Sequence, residues 1–352
     1  MTSPSPPHDR HVGVLLIGSG SIADYHLAGL AVTARATVRA VAGRNLARAE
    51  ALTKRFSISE ASTDVIGTLA RTDIDAVIIA TPDHTHEEMA IAAARAGKAI
   101  LLQKPMASDV AACRRILDSA AHAKVDVQVA FMHRYFEEVE LARRFLREGA
   151  IGSVQSVHLR NATTGPNWSD WFFDSRKVSG GVVHQLGVHG IDLLLYLLGD
   201  IASVSATHAT LQPTRRLADG REIPVENPDS AWATYRLAGG AIASHEMSMI
   251  EARGCDRFRM EIYGSEGTIW LRSDKGALAI CAPRHVGHHD WYVPSLTNPP
   301  VGQRHHQHWI DGLTGVSAPA STACDALRGM LVAEAILRSA ANAARFEPVQ
   351  IV

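Results

Sequence analysis

The chain has 352 residues, 46% of them hydrophobic and 20% charged, with a formal net charge of -1. That length allows two domains with sizeable cores. The even charge balance excludes a broad basic field for nucleic acid or an anionic membrane, and no stretch approaches the run of about 18 apolar residues that a membrane span needs, so small-molecule chemistry leads.

Residues 1–11 (MTSPSPPHDRH) are rich in Pro and Ser and lack the apolar run of a signal peptide, so they read as a loose tail. From Val12 to about Ala130, apolar strands predicted at 12–17, 37–42, 75–80, 98–102 and 126–130 alternate with helices near 22–31, 45–56, 63–70, 85–96 and 109–122. This is the pattern of a parallel sheet covered on both faces, a Rossmann-type α/β domain over 12–131. The first strand ends abruptly in Gly18-Ser-Gly20-Ser21-Ile22-Ala23. Gly18 suits a tight turn, Gly20 leaves room for phosphate oxygens over a helix N-terminus, and Ala23 allows close packing of helix on strand.

The end of the second strand should choose the cofactor, because an acidic residue there grips the ribose hydroxyls whereas a small residue followed by Arg leaves room and charge for a 2'-phosphate. Here the residues are Gly43-Arg44-Asn45, which favours NADP over NAD. Strand 75–80 runs into Thr81-Pro82-Asp83-His84-Thr85-His86, where the i, i+2 spacing of the two histidines does not suit one helix face and loop residues beside a cofactor are the better reading. Strand 98–102 runs into Gln103-Lys104-Pro105, putting a lysine at the edge where open parallel sheets bind ligands.

Together the G-x-G-x-x-A turn, A-T-P-x-x-x-H at 80–86 and Q-K-P at 103–105 resemble the Gfo/Idh/MocA family of NAD(P)-dependent oxidoreductases. The resemblance implies that Lys104 lies beside the nicotinamide and the reacting hydroxyl of a sugar or cyclitol. The family usually has Glu where this chain has Gln103, so a charged neighbour of the lysine is lost.

The second half, 132–352, changes character. Phe131-Met-His-Arg134-Tyr135-Phe136 leads into a helical stretch to Glu148 closed by Gly149-Ala-Ile-Gly152, similar to the family's passage between domains. Strand-like segments near 153–163, 201–211, 229–237, 241–249, 257–263 and 267–271 predict a large, mostly antiparallel open sheet. One helix interrupts them after Ser179-Gly180-Gly181 and runs to Gly199; its Gln185, His189 and Asp192, at i, i+4 and i+7, share a face. Such a polar trio on a Leu-rich helix is either a hydrogen-bonded core group or a site. The family's G-G-x-x-x-D-x-G-x-H-x-x-D-L motif matches at Gly180, Gly181, Gly187, His189, Asp192 and Leu193, which puts its catalytic histidine on His189 and replaces its usual Asp by Gln185. Neighbouring His184 is an extra candidate.

Residues 283–309 are rich in His, Trp and Pro, with His285, His288, His289, His305, His306 and His308, and read as a polar loop bordering the substrate cleft rather than a metal site. An Ala- and Leu-rich helix follows over 321–344, then a short strand at 348–349. Cys113, Cys255, Cys281 and Cys324 lie far apart, which fits neither a disulfide framework nor a zinc knuckle and suits a reducing cytoplasm.

The resemblance implies a division of labour. Gly18, Gly20, Ser21, Ile22 and Ala23 line the pyrophosphate, Gly43 and Arg44 the adenosine end, Thr81, Pro82 and His86 the centre, and Gln103 and Lys104 the nicotinamide. His189 is the base, Lys104 polarises the reacting oxygen and Gln185 orients the histidine. Arg134, Tyr135, Trp168, His184, Gln185, His189 and His305 contact the polyol, no metal takes part, and a homodimer or homotetramer forms through the C-terminal sheet. Two rivals stand beside this dehydrogenase reading because both Gln replacements remove negative charge: redox-neutral catalysis on a tightly held cofactor, and a non-catalytic NAD(P)-binding sensor. Lys104 and His189, the groups that handle the proton, argue against the sensor.

Overall fold

A computed structural model describes residues 11–252, 257–271, 278–287, 289–318 and 322–350. The tail 1–10, Cys255 and His288 lie outside the described residues. The chain divides into two compact units, Met1–Met132 with Pro299–Leu327, and His133–Asn298 with Arg328–Val352.

The first unit alternates β1 (Val12–Ile17), α1 (Ala23–Ala31), β2 (Ala36–Ala42), α2 (Leu46–Phe56), β3 (Ala61–Ser62), α3 (Val65–Leu69), β4 (Ala76–Ile79), α4 (His86–Arg95), β5 (Ala99–Leu102), α5 (Val110–Ala123) and β6 (Val127–Val129). Its six strands are all parallel, in the order β3-β2-β1-β4-β5-β6. Every residue of β1 and β4 is buried, as strands covered on both faces must be, so their sequences are unbroken apolar runs rather than alternating ones. Asn45, Asp64 and Asp109 cap α2, α3 and α5, each side chain accepting from a backbone N–H three residues on. These elements stand within about two residues of their expected places; the two-residue β3 is the addition, too short to carry a period.

In the second unit, α6 (Glu137–Arg147) and β7 (Val154–Ala162) precede α7 (Val188–Leu198) and β8 (Ile201–Ala209). A hairpin of β9 (Thr214–Arg216) and β10 (Glu222–Pro224) follows, then β11 (Ser230–Leu237), β12 (Ile242–Ser248), β13 (Phe258–Gly264), β14 (Thr268–Leu271), β15 (Ala279–Cys281) and the short α8 (Pro283–Val286). With β16 (Glu347–Pro348) these form an eight-stranded sheet, β15-β14-β13-β7-β12-β11-β8-β16, antiparallel except where β12 runs parallel to β7. Strand β11 alternates: Ala231, Ala233, Tyr235 and Leu237 are buried, while Trp232, Thr234 and Arg236 face outward. The outward face is mixed, with Trp232, Ile242, Tyr263 and Trp270 exposed among Ser244, His158 and the Arg160–Glu246 ion pair. The sheet thus presents a mixed face rather than a continuous apolar one.

Two expectations fail near the C-terminus. The stretch 283–309 is not all loop, because α9 (Gln303–Leu313) begins inside it, and the second half is not one block, because 299–327 belong to the first unit. The cause is apolar burial. Trp309 and Ile310, both fully buried, join the core of β1, β4 and α1. The last helix, α10 (Ala323–Ala341), follows α9.

Candidate functional site

In the first unit the strand order reverses beside β1, which lies between β2 and β4; open parallel sheets bind ligands outside the carboxyl ends at such a point. Gly18 closes β1 with φ 114°, and a Cβ there would stand 2.3 Å from the Ala80 carbonyl oxygen, so only glycine fits. At Gly20 a Cβ would meet nothing within 4 Å, leaving open space over the start of α1, where Ser21 and Ile22 make the turn. No side chain caps this helix, unlike α2, α3 and α5; the Ala23 N–H donates to the Gly20 carbonyl at 3.0 Å. A backbone cradle of this kind fits the pyrophosphate of a dinucleotide.

The other expected cofactor residues gather at the same carboxyl edge. Gly43 follows β2 with its Cβ position 3.8 Å from Gly18, Arg44 is exposed beside it, and the strand end itself, Gly43-Arg44-Asn45, carries no acidic residue. Thr81 and Pro82 follow β4, and half-buried Lys104 follows β5.

His86 and Gln103 turn inward instead. His86 is fully buried, its ring nitrogens facing the carbonyls of Pro105 and Thr81 at 2.9 Å each, and so it ties the turn after β4 to the turn after β5. Gln103 starts a buried chain: its Nε2 donates to His26 Nε2 at 2.7 Å, His26 Nδ1 stands 2.9 Å from His306 Nε2, and His306 Nδ1 stands 2.7 Å from the Gly302 carbonyl. Since the last group only accepts, His306 donates from Nδ1, His26 donates from Nδ1, and His26 Nε2 is left to accept. Every link works with neutral rings, provided residue 103 is a donor. Gln supplies the donor; the family's Glu would not, and the chemistry of His26 thus accounts for the replacement. Burial, then the neighbouring His306, holds His26 well below the ordinary histidine value, and burial brings His306 down to about 4.

His305, expected to contact substrate, belongs to the same internal group. It is buried, its Nδ1 stands 3.1 Å from Tyr25 Oη, and burial followed by His306 holds it well below its ordinary value.

In the second unit, Val183–Gly187 form a π turn before α7 begins. The uniform helical spacing assumed for Gln185, His189 and Asp192 therefore holds only from Val188 onward; π turns of this kind are frequent at functional sites. His184, Gln185 and His189 are all buried around this junction, and His184 Nδ1 stands 3.3 Å from Ser179 Oγ. Asp192 accepts from Arg134 Nε at 2.9 Å and Nη2 at 2.6 Å, an ion pair almost wholly buried. The guanidinium also lies 4.7 Å from the Tyr196 ring centroid. Arg134 and Tyr135, expected at the substrate, are thus packed inside, and burial pushes the Tyr135 phenol up. Trp168 does stand out, 60% exposed, with Phe172 edge-on at 5.6 Å. The sequence reading missed His133, whose ring stacks on His189 at 4.4 Å with 17° between the planes. Its one signal was a place in the His-Arg-Tyr run that leads out of β6.

Among the described residues no group of three or more His, Cys, Asp or Glu is placed to hold a metal ion, and no helix is long and apolar enough to cross a membrane.

Comparison with known proteins agrees with the fold. Residues 12–131 match a family model described as an oxidoreductase family with an NAD-binding Rossmann fold, and residues 139–270 match one for the GFO/IDH/MocA C-terminal domain. A levoglucosan dehydrogenase from Pseudarthrobacter phenanthrenivorans is 30% identical over 74% of this chain and 73% of its own. An inositol 2-dehydrogenase from Rhizobium meliloti is 28% identical over 93% and 96%. Among solved structures, a levoglucosan dehydrogenase in complex with NADH superposes with a TM-score of 0.89 at 25% identity, over 97% of this chain and 100% of that one.

Proposed function

Because the chain belongs to the Gfo/Idh/MocA family of NAD-binding oxidoreductases, we propose that it moves a hydride between a nicotinamide dinucleotide and a secondary hydroxyl or keto carbon of a sugar, cyclitol or related polyol. The observation that carries the reading is the backbone cradle at Gly18 and Gly20, on the same sheet edge as Lys104, in a chain whose relatives are named for levoglucosan and inositol.

The bound nicotinamide supplies the hydride acceptor. The rest falls to the chain's own groups. His189 takes the hydroxyl proton, and a positioned base is worth about 100- to 10,000-fold in rate. Lys104 stabilises negative charge developing on the oxygen, and Gln185 orients His189. His86 anchors the carbonyl of Pro105, the residue after Lys104.

Arg44, in a strand end whose own residues Gly43-Arg44-Asn45 include no acid, favours NADP. Arg44→Ala should weaken NADP by tenfold or more, on the order of one lost charge-assisted contact, and leave NAD nearly unchanged; equal losses would show that Arg44 does not read the phosphate. A second copy of the chain is expected on the outward sheet face, where Trp232, Ile242, Tyr263 and Trp270 supply apolar anchors within a polar surround. The free thiols of Cys113, Cys281 and Cys324 suit a cytoplasmic setting.

One experiment separates this reading from its rivals: purified protein with NAD or NADP and a panel of sugars, cyclitols and their keto forms, following reduced-cofactor absorbance together with product mass. Net change in cofactor redox state supports the dehydrogenase. Product without net change supports redox-neutral catalysis, and binding with neither supports the sensor. The neutral chain from Gln103 to Gly302 favours the dehydrogenase over the sensor, because it gives Gln103 a structural reason that does not involve loss of catalysis.

A further inference from the structure

An imidazole's plane is poorly fixed by its own side chain, because rotation about the last bond is broad rather than staggered. A base that must meet a hydroxyl proton in one geometry therefore needs a neighbour to hold the ring. In the family motif an Asp stands four residues before the histidine; here that position is Gln185, buried in a π turn. An amide lacks the charge with which a carboxylate holds an imidazolium.

Against His189 lies the face of His133, at 4.4 Å and 17°. His133 is itself gripped by rings: Phe136 lies at 5.0 Å, tilted by 33°, and Phe258 stands edge-on at 5.6 Å. Its 3-10 turn, Met132–Tyr135, is pinned to the same helix at the next turn, where Arg134 meets Asp192. His189 thus faces a plate that is fixed by two phenyl rings and by a buried ion pair one residue away.

We propose that His133 is a positioning residue for His189, its ring face setting the plane of the imidazole that takes the substrate proton. This rests on His189 being the base. A face-to-face contact uses no ring nitrogen, so the stack orients His189 without competing for its proton. The effect belongs to the reacting geometry and not to substrate affinity, and a ring turned out of line costs rate and spares binding.

The test compares three variants with the wild-type protein, using the polyol and dinucleotide that support turnover. His133→Leu keeps most of the volume and removes the aromatic face; kcat should fall about 10- to 100-fold with KM for both substrates changed less than about twofold. His133→Phe restores the face and should return kcat to within about threefold of wild type. His189→Ala is the control for the reading beneath, and thermal unfolding of each variant reports folding independently. Rescue by Phe supports the plate. Wild-type kcat in His133→Leu overturns it, as does a His133→Phe variant as slow as His133→Leu, which would assign the role to a ring nitrogen. If His189→Ala is inactive while His133→Leu is not, only the plate falls; if His189→Ala turns over normally, the base assignment falls and the plate with it.

Discussion

Two groups of buried histidines differ in how their rings are used. In the first unit His26 and His306 meet edge to edge, each nitrogen spent on a partner in the chain from Gln103 to the Gly302 carbonyl. His245 in the second unit is similar, bonded to Tyr235 Oη at 2.9 Å and Asn161 Oδ1 at 2.8 Å. His189 instead meets its neighbour through the ring face. Edge-on histidines act as hydrogen-bonding struts whose protons are committed to the fold, whereas a stacked contact bears on the plane of the ring. In a chain with 18 histidines the two kinds of contact support different proposals, a strut for the edge-on rings and a positioned base for His189.

The harshest way to break the comparison is to release the helix that carries His189. Arg134→Ala leaves Asp192 as a buried uncompensated carboxylate, which should cost about 3–5 kcal/mol and lower the unfolding midpoint sharply in a thermal melt. A melt unchanged by the substitution would mean that the pair is solvated in solution.

A smaller change sharpens the other side. Gln103→Glu restores the family's residue but sets an acceptor against the accepting nitrogen of His26, which then needs a proton that burial opposes. The expected loss at neutral pH is about 1–3 kcal/mol, and the sign of the His26 contribution to the pH dependence should reverse. In the wild-type protein His26, His306 and His245 have folded values below the unfolded one, with His306 at about 4 and His245 at about 3, so stability is full above pH about 6.5 and is lost as pH falls towards those values. Each such group contributes a slope of up to about 1.4 kcal/mol per pH unit. In Gln103→Glu the carboxylate favours charged His26, so that contribution is present at acid pH and lost as pH rises. Denaturant melts from pH 5 to 8 would read both slopes, and parallel curves for the two proteins would refute the neutral chain.

What the sequence made legible follows the same division. The sheet of the first unit and its glycine cradle were readable because they depend on backbone: an unbroken apolar run, a glycine where a Cβ would strike Ala80, and punctuation after each strand. The site in the second unit depends on side chains meeting from distant segments. His133 and His189 are 56 positions apart, and no period relates them. What the sequence could not show at Arg134, Tyr135 and His305 is their surroundings: an ion pair with Asp192 holds Arg134, Tyr135 is buried beside it, and His305 lies in a histidine cluster. The π turn at Val183–Gly187 was equally hidden, since a periodic apolar pattern assumes an unbroken α-helix.

The most direct test of the account measures turnover and the thermal unfolding midpoint together for His189→Ala and His245→Gln. The account predicts that His189→Ala loses about 100- to 10,000-fold in turnover while dinucleotide affinity stays near wild type, and that His245→Gln lowers the midpoint with a far smaller loss of turnover. Wild-type turnover in His189→Ala, or equal turnover losses in the two variants, would contradict it.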